Sequence, residues 1–175
     1  MFQTDWGELD YLVVDMPPGT NDVHITITQE VSLNGAVIVS TPQNIALIDV
    51  RRGIEMFASV QVPVLGLVEN MSYYTCGKCQ EKHYLFGEGG VSKTAAELSL
   101  PFLGEVPFMP KILSETDAGT PPALSGDESI PHAKPYYDLA RNILDSLDKA
   151  KHASNEQAPT PSIRFSDPAP KSDSN

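Results

Sequence analysis

Cys76 and Cys79 are the residues whose type and spacing most clearly allow chemistry in this chain of 175 residues. They are its only cysteines, and Gly77 and Lys78 stand between them in a polar segment. Two thiols at C-x-x-C spacing can turn toward one external ligand. A closed zinc site needs four ligands, so the two thiols, with His83 as a possible third ligand, make an incomplete set within one chain.

Three other roles suit two cysteines at this spacing. A redox dithiol usually lies at a helix N-terminus that lowers a thiol pKa, but the flanking residues 73–75 and 80–82 indicate no amphipathic helix. Free or disulfide-bonded surface cysteines are the second role. The third is a half-site, in which two chains related by a two-fold axis bring four sulfurs together for zinc or a four-iron cluster. The spacing favours this shared site.

A second informative stretch lies near the start of the chain, where the apolar residues 11–14 lead into Asp15. Pro17, Pro18 and Gly19 follow and force a turn. We predict a strand over 11–14, and a strand that ends in an aspartate before such a turn has the layout of a Walker B strand and switch loop. There the acid holds Mg²⁺ through water, and a glycine amide approaches a terminal phosphate. A strand that ends in aspartate is nevertheless common in any α/β protein.

Composition indicates one globular domain, because the chain is long enough for a core and 41% of its residues are hydrophobic. The net charge of −11 argues against nucleic-acid or anionic-membrane partners, which would repel an acidic protein. No apolar run approaches the ~20 residues of a membrane span, and the first residues lack the pattern of a signal peptide. We expect an intracellular chain, where a C-x-x-C pair more often binds metal or is redox-active than forms a structural disulfide.

The order of apolar runs and helical patterns predicts an α/β fold, with a parallel sheet and flanking helices. Ligands of such sheets bind at the carboxyl ends of the strands, where Asp15, Thr41 and Asn70 are all expected to lie. Thr41 and Pro42 are expected to begin a helix, as its N-cap and its first residue. The other predicted segments are strands at 36–40, 64–68 and 101–106, helices at 21–33, 91–98 and from Pro135, turns over 111–126, and a disordered tail over 152–175.

Residues 87–94, GEGGVSKT, come close to the P-loop pattern G-x-x-x-x-G-K-[ST] but have Ser92 where the pattern requires glycine. A side chain at that position hinders the tight cradle around a phosphate. The apolar residues just before the segment, 84–86, are too few for a central strand. We therefore interpret these glycines as the flexible entry to a helix rather than as a P-loop.

Several stretches in order resemble one known family: WGELDYLVVDMPPGTNDV, STPQNIALIDVRRGIEMF, VPVLGLVENMSYYTCGKC, HYLFGEGG, and LPFLGEVPFMPKI with its later DAGTPP. They are similar to the C-terminal two-thirds of Mrp/ApbC-type iron–sulfur cluster carriers, which are MinD-like P-loop ATPases, from about residue 6 to residue 147. The resemblance implies a P-loop NTPase fold, a homodimer, and ATP with Mg²⁺ at a deviant P-loop. It also implies a labile [4Fe–4S] cluster held between two C-x-x-C pairs for transfer to apo iron–sulfur proteins.

The resemblance assigns roles to four residues of the two stretches described first. Cys76 and Cys79 correspond to the cluster ligands. Asp15 corresponds to the Walker B acid, and Gly19 to a residue of the switch loop.

For the nucleotide, the resemblance implies that Asn70 faces the adenine and that the segment with Pro107 and Met109 borders the base. Each also has a plain structural interpretation, in which Asn70 caps its strand and the proline segment is a turn. Because a lone histidine is rarely a ligand, His24 and His83 are expected to be ordinary surface or core residues.

The P-loop of the family precedes the point where this sequence begins, so the resemblance implies a fold truncated at the N-terminus. Without that P-loop and the first strand of the sheet, we expect crippled nucleotide binding and exposed strand edges beside residues 11–14. The expected organisation is a partial P-loop NTPase domain over 1–151, with the cluster-binding loop at 70–90, followed by the tail over 152–175.

The sequence therefore predicts an iron–sulfur cluster carrier of the cytoplasm, or alternatively of the mitochondrial matrix, and leaves open whether this chain hydrolyses ATP. One alternative is a MinD/ParA-like ATPase module whose cysteines hold zinc or no metal. Another is a non-catalytic fragment that dimerises. No nucleic-acid or membrane partner is expected.

Overall fold

The computed structural model describes residues 4–17 and 22–156. In chain order these residues form α1 (Asp22–Glu30), β1 (Ala36–Ser40), α2 (Asn44–Ser59), β2 (Val64–Asn70), β3 (Tyr74–Thr75), β4 (Lys82–His83), α3 (Gly90–Glu97), β5 (Phe102–Val106), α4 (Pro110–Asp117), a 3₁₀ turn (Pro122–Ser125) and α5 (Lys134–Glu156). Among the helices of these residues, none is long and apolar enough to cross a membrane.

The main sheet has three parallel strands in the order β1–β2–β5. Residues 65–69 of the central strand β2 are all buried, which explains why this apolar run does not alternate with polar residues. Ser40 aligns with Glu69, and Asn70 aligns with Val106. The carboxyl ends of the three strands therefore lie at one edge of the sheet. The predicted parallel α/β architecture is confirmed. Strand β1 has the predicted bounds, β2 continues two residues beyond the predicted 64–68, and β5 begins one residue after the predicted 101.

Helices cover both faces of this sheet. On one face, Val50 of α2 and Val91 of α3 belong to a buried cluster with Leu67. On the other face, Leu139 of α5 packs in a cluster with Val68. The side chains of Leu67 and Val68 lie on opposite faces of the sheet because successive side chains alternate along a strand. The helices predicted at 21–33, at 91–98 and from Pro135 are confirmed, with shifts of one to three residues at the ends that the predictions specified.

The strand predicted over residues 11–14 is wrong. These residues have no regular structure, and Val13 is 90% exposed. A strand is stable only when a neighbour takes up its backbone N–H and C=O groups, and no strand of the described residues pairs with this segment. Asp15 consequently stands on an irregular segment rather than at the end of a strand.

The predicted start of α2 also needs correction. The helix begins at Asn44 with Gln43 as its N-cap residue, so Thr41 and Pro42 precede it. The Thr41 hydroxyl lies 3.4 Å from the side-chain oxygen of Gln43 instead of accepting a hydrogen bond from a helix N–H. Pro42 is buried and therefore serves packing rather than the first helical turn.

Two predictions in the second half of the chain differ from the structure as well. Residues 110–117 form α4, whereas the sequence predicts turns over 111–126. Pro110 suits the first position of a helix, but α4 has only eight residues, and the glycine and two prolines at 119–122 indicate turns. Helix α5 continues to Glu156, so residues 152–156 belong to that helix. The rest of the predicted tail lies outside the described residues.

Candidate metal centre

The two cysteines lie at the tip of a β-hairpin that leaves the carboxyl end of β2. The chain first turns at Met71, which has a positive φ of 54°, and the Ser72 N–H donates to the Val106 carbonyl at 3.0 Å. Strands β3 and β4 then pair in antiparallel register, with Tyr74 opposite His83. The hairpin therefore starts from the sheet edge where β2 and β5 end.

Two backbone hydrogen bonds close the turn between β3 and β4. The Cys76 N–H donates to the Glu81 carbonyl, and the Gln80 N–H donates to the Cys76 carbonyl, each at 2.9 Å. Gln80 has a left-handed φ of 61°, which reverses the chain directly after Cys79 and costs a non-glycine residue about 1 kcal/mol or more. A Cβ atom at Gly77 would meet nothing within 4 Å. The backbone of the turn is thus fixed, while its outer side is open.

The ligand atoms of Cys76, Cys79 and His83 all lie within 4.8 Å of one another. Both thiols are free; Cys76 is half-buried, and Cys79 is exposed. His83 is a surface residue, as predicted, but the hairpin folds its ring back beside the two sulfurs. The spacing of the residues alone left His83 as only a possible third ligand, because the strands β3 and β4 that bring its ring to the sulfurs have two residues each. Two sulfurs and one imidazole form a donor set that suits zinc and other thiophilic divalent ions.

The pKa of the Cys76 thiol is lowered from its ordinary value. The largest cause is the backbone N–H of Cys79, which donates to the Cys76 sulfur, followed by the N–H of Lys78 and the thiol of Cys79. Donors that point at a sulfur stabilise its thiolate, and the thiolate is the form that binds metal. The turn therefore favours the metal-binding form of Cys76 without the helix N-terminus that a redox dithiol usually has.

Lys82 connects the hairpin to the sheet. Its Nζ lies 3.7 Å from the ring centroid of Tyr73 and 3.6 Å from a carboxylate oxygen of Glu105 on β5. The other oxygen of Glu105 accepts the Ser72 hydroxyl at 2.8 Å. These side chains are partly exposed, so the ion pair and the cation–π contact contribute at most about 1 kcal/mol each. Together they hold both ends of the hairpin against β5.

The residues predicted to face a nucleotide lie at the same sheet edge. The side-chain oxygen of Asn70 accepts the Met71 N–H at 2.9 Å, which fits the interpretation of Asn70 as a strand cap. Pro107 is buried directly after β5, and Met109 is the partly buried N-cap residue of α4. Because Asn70 aligns with Val106, it lies close to this proline segment. A contact of these residues with a base stays a prediction.

The two residues predicted to be catalytic are not brought into this arrangement by the described structure. Asp15 is exposed on the irregular segment 4–17. Gly19 lies outside the described residues. Their roles at Mg²⁺ and at a phosphate therefore stay predictions, whereas the cysteines and the histidine are brought together.

The glycine-rich segment 87–94 serves packing. Glu69, buried near the end of β2, accepts the Val91 N–H at 2.8 Å, so its carboxylate occupies the first turn of α3, where an anion would otherwise bind. A Cβ atom at Gly90 would lie 2.3 Å from the carbonyl oxygen of Pro42. Glycine is needed at this position for close contact between α3 and the Pro42 backbone. The structure supports the interpretation of this segment as a helix entry rather than a P-loop.

Comparison with known proteins agrees with this fold. The model of a family described as ParA, NUBPL iron-transfer P-loop NTPase, matches residues 1–144. The iron–sulfur cluster transfer protein NUBPL of Dictyostelium discoideum is 47% identical over 161 residues, which are 92% of this chain and 50% of that protein. An Arabidopsis thaliana protein, named iron-sulfur protein required for NADH dehydrogenase, mitochondrial, is 52% identical over 143 residues, which are 82% of this chain and 45% of that protein.

A solved structure is similar as well. The nucleotide-binding protein from Archaeoglobus fulgidus, in complex with ADP and with Co found by PIXE, is 46% identical and has a TM-score of 0.60, over 66% of this chain and 47% of that chain. The parallel sheet and its helices thus define the class, an α/β protein of the P-loop NTPase type. Within that class, the chain belongs to the ParA-type NUBPL iron-transfer family. It spans about half the length of the curated relatives it matches.

Proposed function

We propose that this chain is the cluster-binding part of an iron–sulfur cluster carrier. Two copies hold one [4Fe–4S] cluster between their Cys76 and Cys79 pairs and pass it to apo-proteins. The observation that carries this proposal is the hairpin tip, where two free thiols lie within 4.8 Å of each other at the surface. The name of the Dictyostelium relative, an iron–sulfur cluster transfer protein, supports the same function.

A single chain supplies half of the ligands that such a cluster needs. A four-iron cluster takes four thiolates, and this chain has two cysteines. A two-fold axis through the cluster adds the same pair from a second copy, in an interface that uses the same surface of both chains. The exposure of Cys79 and the open space at Gly77 leave room for that approach.

Release of the cluster requires ligand exchange and no acid–base chemistry on the protein. A thiolate of the acceptor binds an iron atom, and the sulfur of Cys79, which is the more exposed of the pair, leaves that iron. The acceptor's remaining thiolates then replace Cys76 and the two sulfurs of the second copy. Each acceptor thiol loses a proton to solvent, and each departing thiolate takes one up, so charge and protons balance. A surface hairpin suits this exchange because the acceptor's thiolates reach the bound cluster from solvent.

In the whole protein, ATP and Mg²⁺ are proposed to bind near the edge where β2 and β5 end. Asn70, Pro107 and Met109 would face the base, Asp15 would hold Mg²⁺ through water, and Gly19 would approach a phosphate. The ADP complex of the similar Archaeoglobus fulgidus protein supports nucleotide binding. When bound, the nucleotide supplies the free energy of hydrolysis. The first turn of α3 at 87–94 is not available to a phosphate of the nucleotide, because the Glu69 carboxylate already accepts a hydrogen bond there.

The proposed recipients are apo iron–sulfur proteins, and the proposed locations are the cytoplasm or the mitochondrial matrix. The name of the Arabidopsis relative, which includes the word mitochondrial, supports the matrix. Fractionation of the source cells, followed by detection of the chain with an antibody, separates the two locations. Recovery with membranes or with chromatin would contradict both.

Anaerobic reconstitution with iron and sulfide tests the carrier function. The wild-type chain is expected to develop the broad visible absorption of iron–sulfur charge transfer, and the double variant Cys76→Ser/Cys79→Ser is expected to stay colourless. Glu55→Gln, at an exposed position of α2 outside the hairpin, is the matched control and should behave like wild type. A wild-type chain that stays colourless but binds zinc would refute the carrier and favour the MinD/ParA-like module with zinc at its cysteines.

A further inference from the structure

We propose that one chain alone binds a single divalent cation of the zinc class through Cys76, Cys79 and His83, with the fourth coordination position open. This site goes beyond the carrier function because it requires neither a second chain nor sulfide. It uses the same two sulfurs as the cluster, and it adds His83, which is not a ligand of a cluster held by four cysteines.

The distances between the ligand atoms suit a single metal ion better than two irons of a four-iron cluster. Bond lengths of about 2.3 Å to sulfur and about 2.0 Å to nitrogen place the ligands of a tetrahedral zinc ion about 3.5–3.8 Å apart. The three ligand atoms here lie within 4.8 Å of one another, so a shift of about 1 Å closes them on one ion. Two thiolates of a four-iron cluster bind different irons and must lie further apart, because an iron–iron edge separates the irons they bind.

The hairpin backbone brings the third ligand to this position. Tyr74 and His83 are paired across β3 and β4, and the Cys76 N–H donates to the Glu81 carbonyl two residues before His83. The ring of His83 is therefore positioned by the same ladder that positions the cysteine turn. Because its side chain is exposed, it can rotate onto an ion without unpacking the core.

The open fourth position follows from the ligand count and from the exposure of the site. Zinc sites with three protein ligands hold a water or another ligand in the fourth position. Cys79 and His83 are both exposed, and a Cβ atom at Gly77 would meet no atom within 4 Å apart from its chain neighbours. A thiolate from another molecule can therefore replace the water. The mononuclear site and the shared cluster exclude each other, since both use the sulfurs of Cys76 and Cys79.

Titration of the reduced, metal-free 175-residue chain with Co²⁺ under anaerobic conditions tests this proposal. We expect one Co²⁺ per chain, with sulfur-to-cobalt charge transfer in the near ultraviolet and the intense visible bands of a tetrahedral centre, while light scattering shows a monomer. His83→Ala should weaken Co²⁺ binding at least about tenfold, as loss of a ligand costs at least about 1.4 kcal/mol. His152→Ala, an exposed histidine on α5, is the matched control and should bind like wild type.

Two further measurements make the result independent of folding defects in one variant. His83→Cys should keep one Co²⁺ per chain and show stronger sulfur-to-cobalt charge transfer, because a third thiolate replaces the imidazole. In wild type, Zn²⁺ should shift the ring ¹⁵N resonances of His83 and leave those of His152 in place. Half a Co²⁺ per chain, an affinity unchanged in His83→Ala, unmoved His83 resonances, or no Co²⁺ binding would each overturn the proposal.

The cobalt titration tests the mononuclear site and the reconstitution tests the carrier function, so either proposal can be refuted without the other. A chain that takes up the iron–sulfur cluster but binds only half a Co²⁺ per chain refutes the mononuclear site and leaves the carrier function standing. A chain that binds one Co²⁺ through His83 but takes up no cluster refutes the carrier function and leaves the mononuclear site standing.

Discussion

The Glu69 carboxylate accepts the backbone N–H of Val91 at 2.8 Å and joins the end of β2 to the first turn of α3. Glu69 is only 1% exposed. The first N–H groups of a helix have no partner within the helix, and a carboxylate there also interacts favourably with the helix dipole. The glycine-rich entry to α3 is therefore part of the core, although its sequence is close to that of a phosphate-binding loop.

Glu69→Gln is expected to lower the free energy of unfolding by about 1–3 kcal/mol, because it weakens the bond to the Val91 N–H and buries an amide that must find new partners. Urea denaturation monitored by circular dichroism measures the change. Glu55→Gln, on the exposed side of α2, is the control and should change the stability by no more than about 0.5 kcal/mol. Equal stability of the two variants would show that the Glu69 bond contributes nothing.

Gly90→Ala is expected to destabilise the chain by about 1–3 kcal/mol through overpacking, because the new methyl group lies 2.3 Å from the Pro42 carbonyl oxygen. Gly53→Ala tests the opposite case in the middle of α2, where a Cβ atom meets nothing within 4 Å. It should stabilise the chain by about 0.5–1 kcal/mol, since alanine favours helix more than glycine does. Thermal denaturation compares the two. A Gly90→Ala variant as stable as wild type would mean that α3 moves away from Pro42 at no cost.

Lys82→Met is expected to loosen the hairpin with little change in global stability. The substitution removes the contacts of Lys82 with Tyr73 and Glu105, which are worth at most about 1 kcal/mol each at this exposure. Amide hydrogen exchange should become faster at the N–H groups of Cys76 and Gln80 and stay unchanged in β2. Unchanged exchange at the hairpin tip would show that the ladder alone holds the cysteine turn.

The main sheet could be predicted from the sequence because β2 is an apolar run that is buried over residues 65–69, and the shorter, partly buried strands β1 and β5 pair with it on either side. Residues 11–14 are a similar apolar run and yet form no strand. An apolar run becomes a buried strand only where a neighbouring strand accepts and donates its backbone hydrogen bonds. Helix α4 is not predicted because it has only eight residues, none of them buried, and the glycine and two prolines that follow at 119–122 indicate turns.

The candidate site was only half predictable. The C-x-x-C pair is recognised from its spacing in the sequence, and the half-site hypothesis follows because the chain has only two cysteines. His83 is brought to the sulfurs by the pairing of two strands of two residues each. Strands this short show no hydrophobic alternation from which they could be predicted. The partner of Glu69 lies 22 residues further along the chain, and nothing in an apolar strand indicates which N–H a buried acid will meet.

The lowered pKa of Cys76 predicts the pH dependence of its alkylation. A lowered pKa means that the thiolate forms at lower pH in the folded chain than in the unfolded chain. In the metal-free Cys79→Ser variant, which keeps both backbone donors, the rate of reaction with iodoacetamide should reach half its maximum at lower pH than in the same variant in urea. Coincident pH profiles would show that the turn does not stabilise the Cys76 thiolate.

The most direct test of the shared cluster is native mass spectrometry of the chain after anaerobic reconstitution. We expect ions of two chains with one [4Fe–4S] cluster, about two irons per chain, and no cluster-bearing ions from Cys76→Ser or Cys79→Ser. A complete cluster on a single chain, or full iron loading of a dimer that lacks either sulfur, would contradict a cluster held jointly by Cys76 and Cys79 of two copies.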